Sequence, residues 1–118
     1  FPSGFIEYVE SEKIPVLGIC YGLQLLVQRL GGQVSIGEKQ EYGRMEIEVQ
    51  KACGLFGNRK VGDKQVVWMS HGDEAVNLPQ GFEVAARSQQ GAVAAVEDNK
   101  RRFYGFQYHP EVKFVYLA

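Results

Sequence analysis

Hydrophobic and polar positions change period several times along the chain, and each change marks an element. Phe5, Ile6 and Val9, after Ser3, predict a short helix over about residues 4–12 with Ser3 as a candidate N-cap. Pro15 to Ile19 is a short continuous apolar run and predicts a buried strand. Leu23, Leu26, Val27 and Leu30 fall at i, i+3, i+4 and i+7, one face of a helix, which Gly31-Gly32 should stop. Met45, Ile47 and Val49 alternate with Arg44, Glu46, Glu48 and Gln50, the pattern of a half-exposed strand. Further strands are predicted at residues 33–36, 65–69, 82–87, 92–96 and 102–108, with Gln89-Gln90-Gly91 as a hairpin connection. Residues 51–64 read as a loop anchored by Leu55-Phe56, and Ser70-His71-Gly72-Asp73 as a turn. Strands interleaved with two amphipathic helices predict an α/β fold.

Composition narrows the function without naming it. A chain of 118 residues, 45% hydrophobic, holds one domain at most. Its net charge of −1 and pI near 6.2 give no reason to expect nucleic acid or a membrane surface as a partner. No apolar stretch approaches the roughly 18 residues of a membrane span. Phe1-Pro2-Ser3-Gly4 does not have the form of a signal peptide. Lys100-Arg101-Arg102, after Asp98-Asn99, reads most simply as a solvated turn. Two cysteines make no disulfide framework, and two histidines without a spaced Cys/His cluster speak against structural zinc.

One run carries chemistry. Gly18-Ile19-Cys20-Tyr21-Gly22 lies between the strand-like run and the helix-like run. That is the form of a nucleophile elbow with Cys in the place of Ser. Small residues at 18 and 22 suit so sharp a turn, where flanking side chains would collide. Cys20 would sit at a helix N-terminus, where the dipole favours thiolate, and the Tyr21 N–H would face a developing oxyanion. A buried Cys beside a Gly-rich turn is the simpler alternative for this motif alone. Cys53 reads as a bystander in a loop.

His109-Pro110-Glu111 supplies the complementary groups. Proline biases the preceding residue toward extended backbone, and residues two apart in an extended segment point to the same side. His109 and Glu111 can therefore face one pocket, the carboxylate orienting the imidazole. By itself the tripeptide also fits a solvated strand end. Its weight comes from the strand-like run at residues 102–108 that precedes it. Cys, His and an acid are the parts of an activated-thiol acyl-transfer site.

The run Gly18-Ile19-Cys20-Tyr21-Gly22-Leu23-Gln24-Leu25-Leu26 resembles the nucleophile motif of the class I (triad) glutamine amidotransferases, and His109-Pro110-Glu111-Val112 their closing motif. Lys39 to Arg44, Val67 to Asp73 and Arg102 to Tyr108 are most similar to the glutaminase domains of GMP synthases, of eukaryotic or plant type. The resemblance covers about residues 1–112 and implies an open, largely parallel sheet with flanking helices and a nucleophile elbow. It implies that Cys20 attacks the carboxamide of glutamine, with His109 as base and Glu111 orienting it. It also implies that the Tyr21 N–H gives half of the oxyanion hole. Gln24 and the backbone at Ser70 and His71 would hold the substrate's amino-acid end. His71 with Asp73 could form a second base, but the resemblance favours a backbone role. It implies no metal or cofactor in this domain. ATP and magnesium would belong to a synthetase domain, normally in the same chain, that aminates XMP to GMP, in the cytoplasm.

The family's first strands, and the Gly-rich loop giving the second oxyanion donor, would precede residue 1. Residues 113–118 look like a divergent tail in place of the synthetase domain. The expectation is a domain truncated at both ends and a poor glutaminase by itself. The competing readings are a gamma-glutamyl hydrolase or cysteine peptidase on the same fold, and a truncated, inactive binding module. The Gln24 position and the run from Trp68 to Asp73 speak against the first.

Overall fold

The computed structural model describes residues 3–35, 42–51, 60–70 and 74–109, without the side chains of Tyr42 and Ser70. Its elements in chain order are α1 (Phe5–Ser11), β1 (Val16–Ile19), α2 (Tyr21–Arg29), β2 (Gln33–Ser35) and β3 (Tyr42–Val49). There follow β4 (Lys64–Ser70), β5 (Glu74–Asn77), β6 (Glu83–Ser88), β7 (Val93–Asp98) and β8 (Phe103–Phe106). The loop anchor Leu55-Phe56, Cys53, Ile36 and the tail at 113–118 lie outside the described residues.

Among the described residues six strands form one sheet in the order β1-β8-β7-β6-β3-β4, and β2 pairs with β5 apart from it. The α/β class holds, but the sheet is not largely parallel. Only β1 and β8 run parallel, from Val16↔Phe103 to Ile19↔Phe106, and the other ladders of this sheet are antiparallel. The reason is connection length. Only residues 89–92 separate β6 from β7, and only 99–102 separate β7 from β8. A parallel return needs a crossover of roughly a dozen residues or more.

The sheet also curls. Beyond β8, Tyr108 makes an antiparallel bridge to Met69 of β4, so the end of β8 meets the far edge of the sheet. Packing follows from this curvature. Met45, Ile47, Val67, Met69, Phe106 and Tyr108 share one buried cluster. Ile6, Val9, Leu23, Leu26, Val27 and Phe103 share another, between the helices and the sheet. β7 is buried at every position, as a central strand covered on both faces should be. β3 buries Met45, Ile47 and Val49, the positions its alternation singled out.

Helix α2 ends as the glycines require. Gly31 has φ 97, its N–H bonds Gln28 O at 3.2 Å, and the Gly32 N–H bonds Val27 O at 2.8 Å. That pair of bonds is a Schellman motif. Helix α1 starts differently from expectation: its N-cap is Gly4, with no side-chain capping bond, and Ser3 lies outside the helix.

Two ion-pair groups tie the strand ends. Glu97, 1% exposed, lies 2.9 Å from the Lys51 ammonium, off the line of a well-directed hydrogen bond. Lys51 also meets Glu83, and Glu83 first and then Glu97 hold its pKa above the usual lysine range. Arg101 is no solvated turn residue. Its guanidinium bonds Asp98, Glu10 of α1 at 3.2 Å and Gln80 O at 3.0 Å, and lies over the rings of Phe82 and Phe103. Buried Asp98 demands a cation, and the turn after β7 returns Arg101 to it.

Gly105 sets the seat of α2. A Cβ there would overlap the Leu23 side chain, which is fully buried. Gly105→Ala should therefore cost about 2 kcal/mol through overpacking. Urea unfolding checks this; an unchanged midpoint would mean that α2 does not press on β8.

Candidate active site

β1 ends at Ile19 and α2 begins at Tyr21, so the whole strand-to-helix turn falls on Cys20. Its φ of 52° and ψ of −108° lie where L-residues are strained, a state costing about 1–3 kcal/mol that surrounding structure must hold. The turn is tight enough to exclude a side chain at Gly18. A Cβ there would stand 2.8 Å from the backbone C and O of Gly22 and the N of Leu23, none of which can swing away. Gly22 differs from expectation. A Cβ there meets nothing within 4 Å, so collision across the elbow requires glycine at 18 only.

The segment leaving β8 clasps this residue. The Cys20 N–H donates to Phe106 O at 2.7 Å, and the Cys20 thiol donates to Gln107 O at 3.1 Å. Cys20 is 7% exposed. The first bond of α2 runs from the Gln24 N–H to Cys20 O at 3.2 Å. The N–H groups of Tyr21, Gly22 and Leu23 therefore precede the helix ladder, the positive end of its dipole. The Tyr21 ring is 68% exposed, so what this residue offers the site is its backbone.

The imidazole-bearing residue arrives by the curl of the sheet. The His109 N–H donates to Trp68 O of β4 at 3.3 Å, next to the Met69–Tyr108 bridge. His109 is half-buried, three residues beyond the carbonyl that holds Cys20. Ser70 ends β4, paired with Tyr42, two residues past the carbonyl that fixes His109. Gln24, 7% exposed on α2, donates from Nε2 to Gln107 Oε1 at 3.5 Å. The segment from Phe106 to His109 thus bonds Cys20 at one end and β4, two residues before Ser70, at the other, and Gln24 meets it through Gln107. Glu111 and His71 lie outside the described residues.

Sequence reasoning missed Gln107. The signal was a polar residue between Phe106 and Tyr108, in a run that otherwise reads as buried strand. Among the described residues no group of three His, Cys, Asp or Glu side chains could hold a metal ion. Two clefts lie elsewhere. One of about 710 Å³ is lined by Lys51, Glu83, Glu97 and Asp98 among others, and one of about 410 Å³ by Glu10, Lys13, Lys100, Arg101 and Arg102.

Comparisons with known proteins bear on this geometry. The profile of the family "Glutamine amidotransferase class-I" matches residues 3–114. The chain is 50% identical over 100 residues to a GMP synthase [glutamine-hydrolyzing] of Nitrobacter hamburgensis, covering 84% of this chain and 18% of that protein. It is 52% identical over 102 residues to the protein of that name in Limosilactobacillus reuteri, covering 85% of this chain and 19% of that one. The crystal structure of a glutamine amidotransferase from Thermotoga maritima superposes with a TM-score of 0.72 at 28% identity, covering 88% of this chain and 44% of that one. The chain therefore spans about a fifth of the length of the curated relatives named. Both relatives are bacterial, and they bear on GMP synthases in general, not on a eukaryotic or plant type.

The elbow makes a paired prediction. Gly18→Ala should destabilise the fold by about 2 kcal/mol, because backbone must move. Gly22→Ala should leave stability equal or raise it by up to about 1 kcal/mol, alanine being the better helix former. Urea melts of the two variants check this. Equal losses would contradict the placement of the steric constraint at 18.

Proposed function

Because the chain belongs to the class I glutamine amidotransferase family, we propose that it is the glutaminase part of a GMP synthase. In this reading glutamine and water become glutamate and ammonia. Cys20 sulfur forms a bond to the carboxamide carbon, and the developing oxyanion takes the Tyr21 N–H. His109 accepts the thiol proton and passes it to the nitrogen as the C–N bond breaks. Water, deprotonated by the same imidazole, then releases glutamate. Glu111 orients the imidazole. Gln24 holds the substrate's amino-acid end, with the backbone at Ser70 and His71.

The observation that carries the reading is the strained Cys20. Its thiol is held at the head of α2 by the segment that continues to His109. The burial of Gln24 beside this thiol's partner supports a substrate with a free amino-acid end over an internal peptide, and the relatives' names favour glutamine over a gamma-glutamyl conjugate. The names and lengths of the relatives support a further proposal. Ammonia passes to an ATP-dependent synthetase part that aminates XMP, and ATP and magnesium bind there, not here. Among the described residues no helix is long and apolar enough to cross a membrane, and the reading places the reaction in the cytoplasm.

The test separates the two nitrogen sources. In a protein that includes the synthetase part, His109→Ala should lower glutamine-dependent amination by at least about 10²-fold. Amination from added ammonia should stay within about twofold of wild type, since that route bypasses the imidazole. Equal loss on both routes would show that His109 serves the fold and not the chemistry.

A further inference from the structure

We propose that Gln107 is a positioning residue of this site, setting both the resting place of the Cys20 thiol and the orientation of the Gln24 amide. It rests on the glutaminase reading only for the identity of the ligand.

Gln107 is 1% exposed, a position that an apolar side chain would fill without penalty. Its neighbours do so. Phe106 and Tyr108 pack together on one side, ring centroids 4.9 Å apart, within the cluster that contains Met69. Successive residues of an extended segment face opposite ways, so Gln107 turns from that cluster toward α2. There its Oε1 accepts the bond from Gln24 Nε2 at 3.5 Å. A buried amide is tolerated where it has such a partner, and costs stability where it has none.

The backbone of Gln107 is fixed as firmly as its side chain. Its N–H donates to Ala94 O of β7 at 2.8 Å, and its carbonyl accepts the Cys20 thiol at 3.1 Å. One residue thus joins three parts: β7 through N–H, the nucleophile through C=O, and α2 through the amide. Rotation of the Gln107 peptide would move the thiol's acceptor and the partner of Gln24 together.

The Gln24 bond also assigns an orientation. With its nitrogen toward Gln107, the Gln24 amide turns its oxygen away from Gln107. An acceptor so turned suits a ligand ammonium, the group at the amino-acid end of glutamine. Gln107 thereby becomes a specificity residue at one remove. It selects for an amine through Gln24, without touching the ligand itself.

The experiment is a double-mutant cycle on Cys20 alkylation in the full chain. Gln107→Met and Gln24→Met, singly and together, are treated with a diazo-ketone analogue of glutamine, and separately with iodoacetamide. Label at Cys20 is followed by peptide mapping. Gln107→Met should raise the half-saturating analogue concentration about fivefold, the worth of one hydrogen bond, and Gln24→Met should raise it further, since it also removes the contact to the ligand. The double variant should be no weaker than the weaker single, because both changes break the same bond. Additive losses would overturn the proposal, as would an unchanged half-saturating concentration in Gln107→Met. Should Gln107→Met fail to fold, Gln107→Asn keeps an amide but withdraws it by one methylene, and carries the same expectation. If wild-type Cys20 reacts with iodoacetamide yet shows no saturation with the analogue, the glutaminase reading fails. The cycle is then read on iodoacetamide rates, where coupling between 24 and 107 sustains the positioning role and additivity overturns it.

Discussion

Four consecutive residues, Phe106 to His109, bond to different parts of the chain, and the candidate site depends on them. Phe106 O holds the Cys20 N–H, Gln107 reaches β7 and the thiol, Tyr108 bridges to Met69, and His109 bonds Trp68 O. By sheet order β1 and β4 are opposite edges. The segment spans them, holding Cys20 near its start and carrying His109 at its end. Each such bond is worth only about 1 kcal/mol net, but a buried backbone group left unpaired costs about 1–3 kcal/mol. The segment therefore has little freedom to sit elsewhere.

Strain at Cys20 is the other half of that arrangement. A left-handed cysteine persists only where its surroundings over-determine it. Here the surroundings are Gly18 against the first turn of α2, the Phe106 carbonyl, and the apolar face of the helix. Leu23, Leu26 and Val27 are fully buried, so α2 cannot pivot to relax the turn. Packing energy remote from the thiol thus holds the thiol's geometry. A site held by packed helix and sheet would also be preorganised: in the proposed reaction its N–H groups would not need to move as charge develops.

Legibility in the sequence followed periodicity. The α2 face and the alternation of β3 were readable because each repeats over enough residues to be unambiguous. The run at β1 predicted a buried strand, but at the end of the described sheet it leaves Leu17 exposed and buries only Gly18. The elbow was readable because its chemistry is compressed into residues 18–22. Strand β5 was not. Four residues with Ala75 as the buried one carry no pattern, and only pairing with β2 makes them a strand. Strand direction was missed because family-level expectation outweighed short connections that argued for hairpins. Arg101 and Gln107 were misread or overlooked for one physical reason. A polar side chain's fate depends on what packing buries beside it, Asp98 together with Glu10 for one and Gln24 for the other. Glu111 and His71, legible as motifs, lie outside the described residues.

The claim at the centre is covalent: glutamine is opened on Cys20. The most direct measurement is acid quenching during turnover of glutamine, followed by mass analysis of the peptides carrying Cys20 and Cys53. A gamma-glutamyl thioester on the Cys20 peptide, absent from the Cys53 peptide, is the result predicted. Ammonia release without any adduct on Cys20, or with the adduct on Cys53, would contradict it.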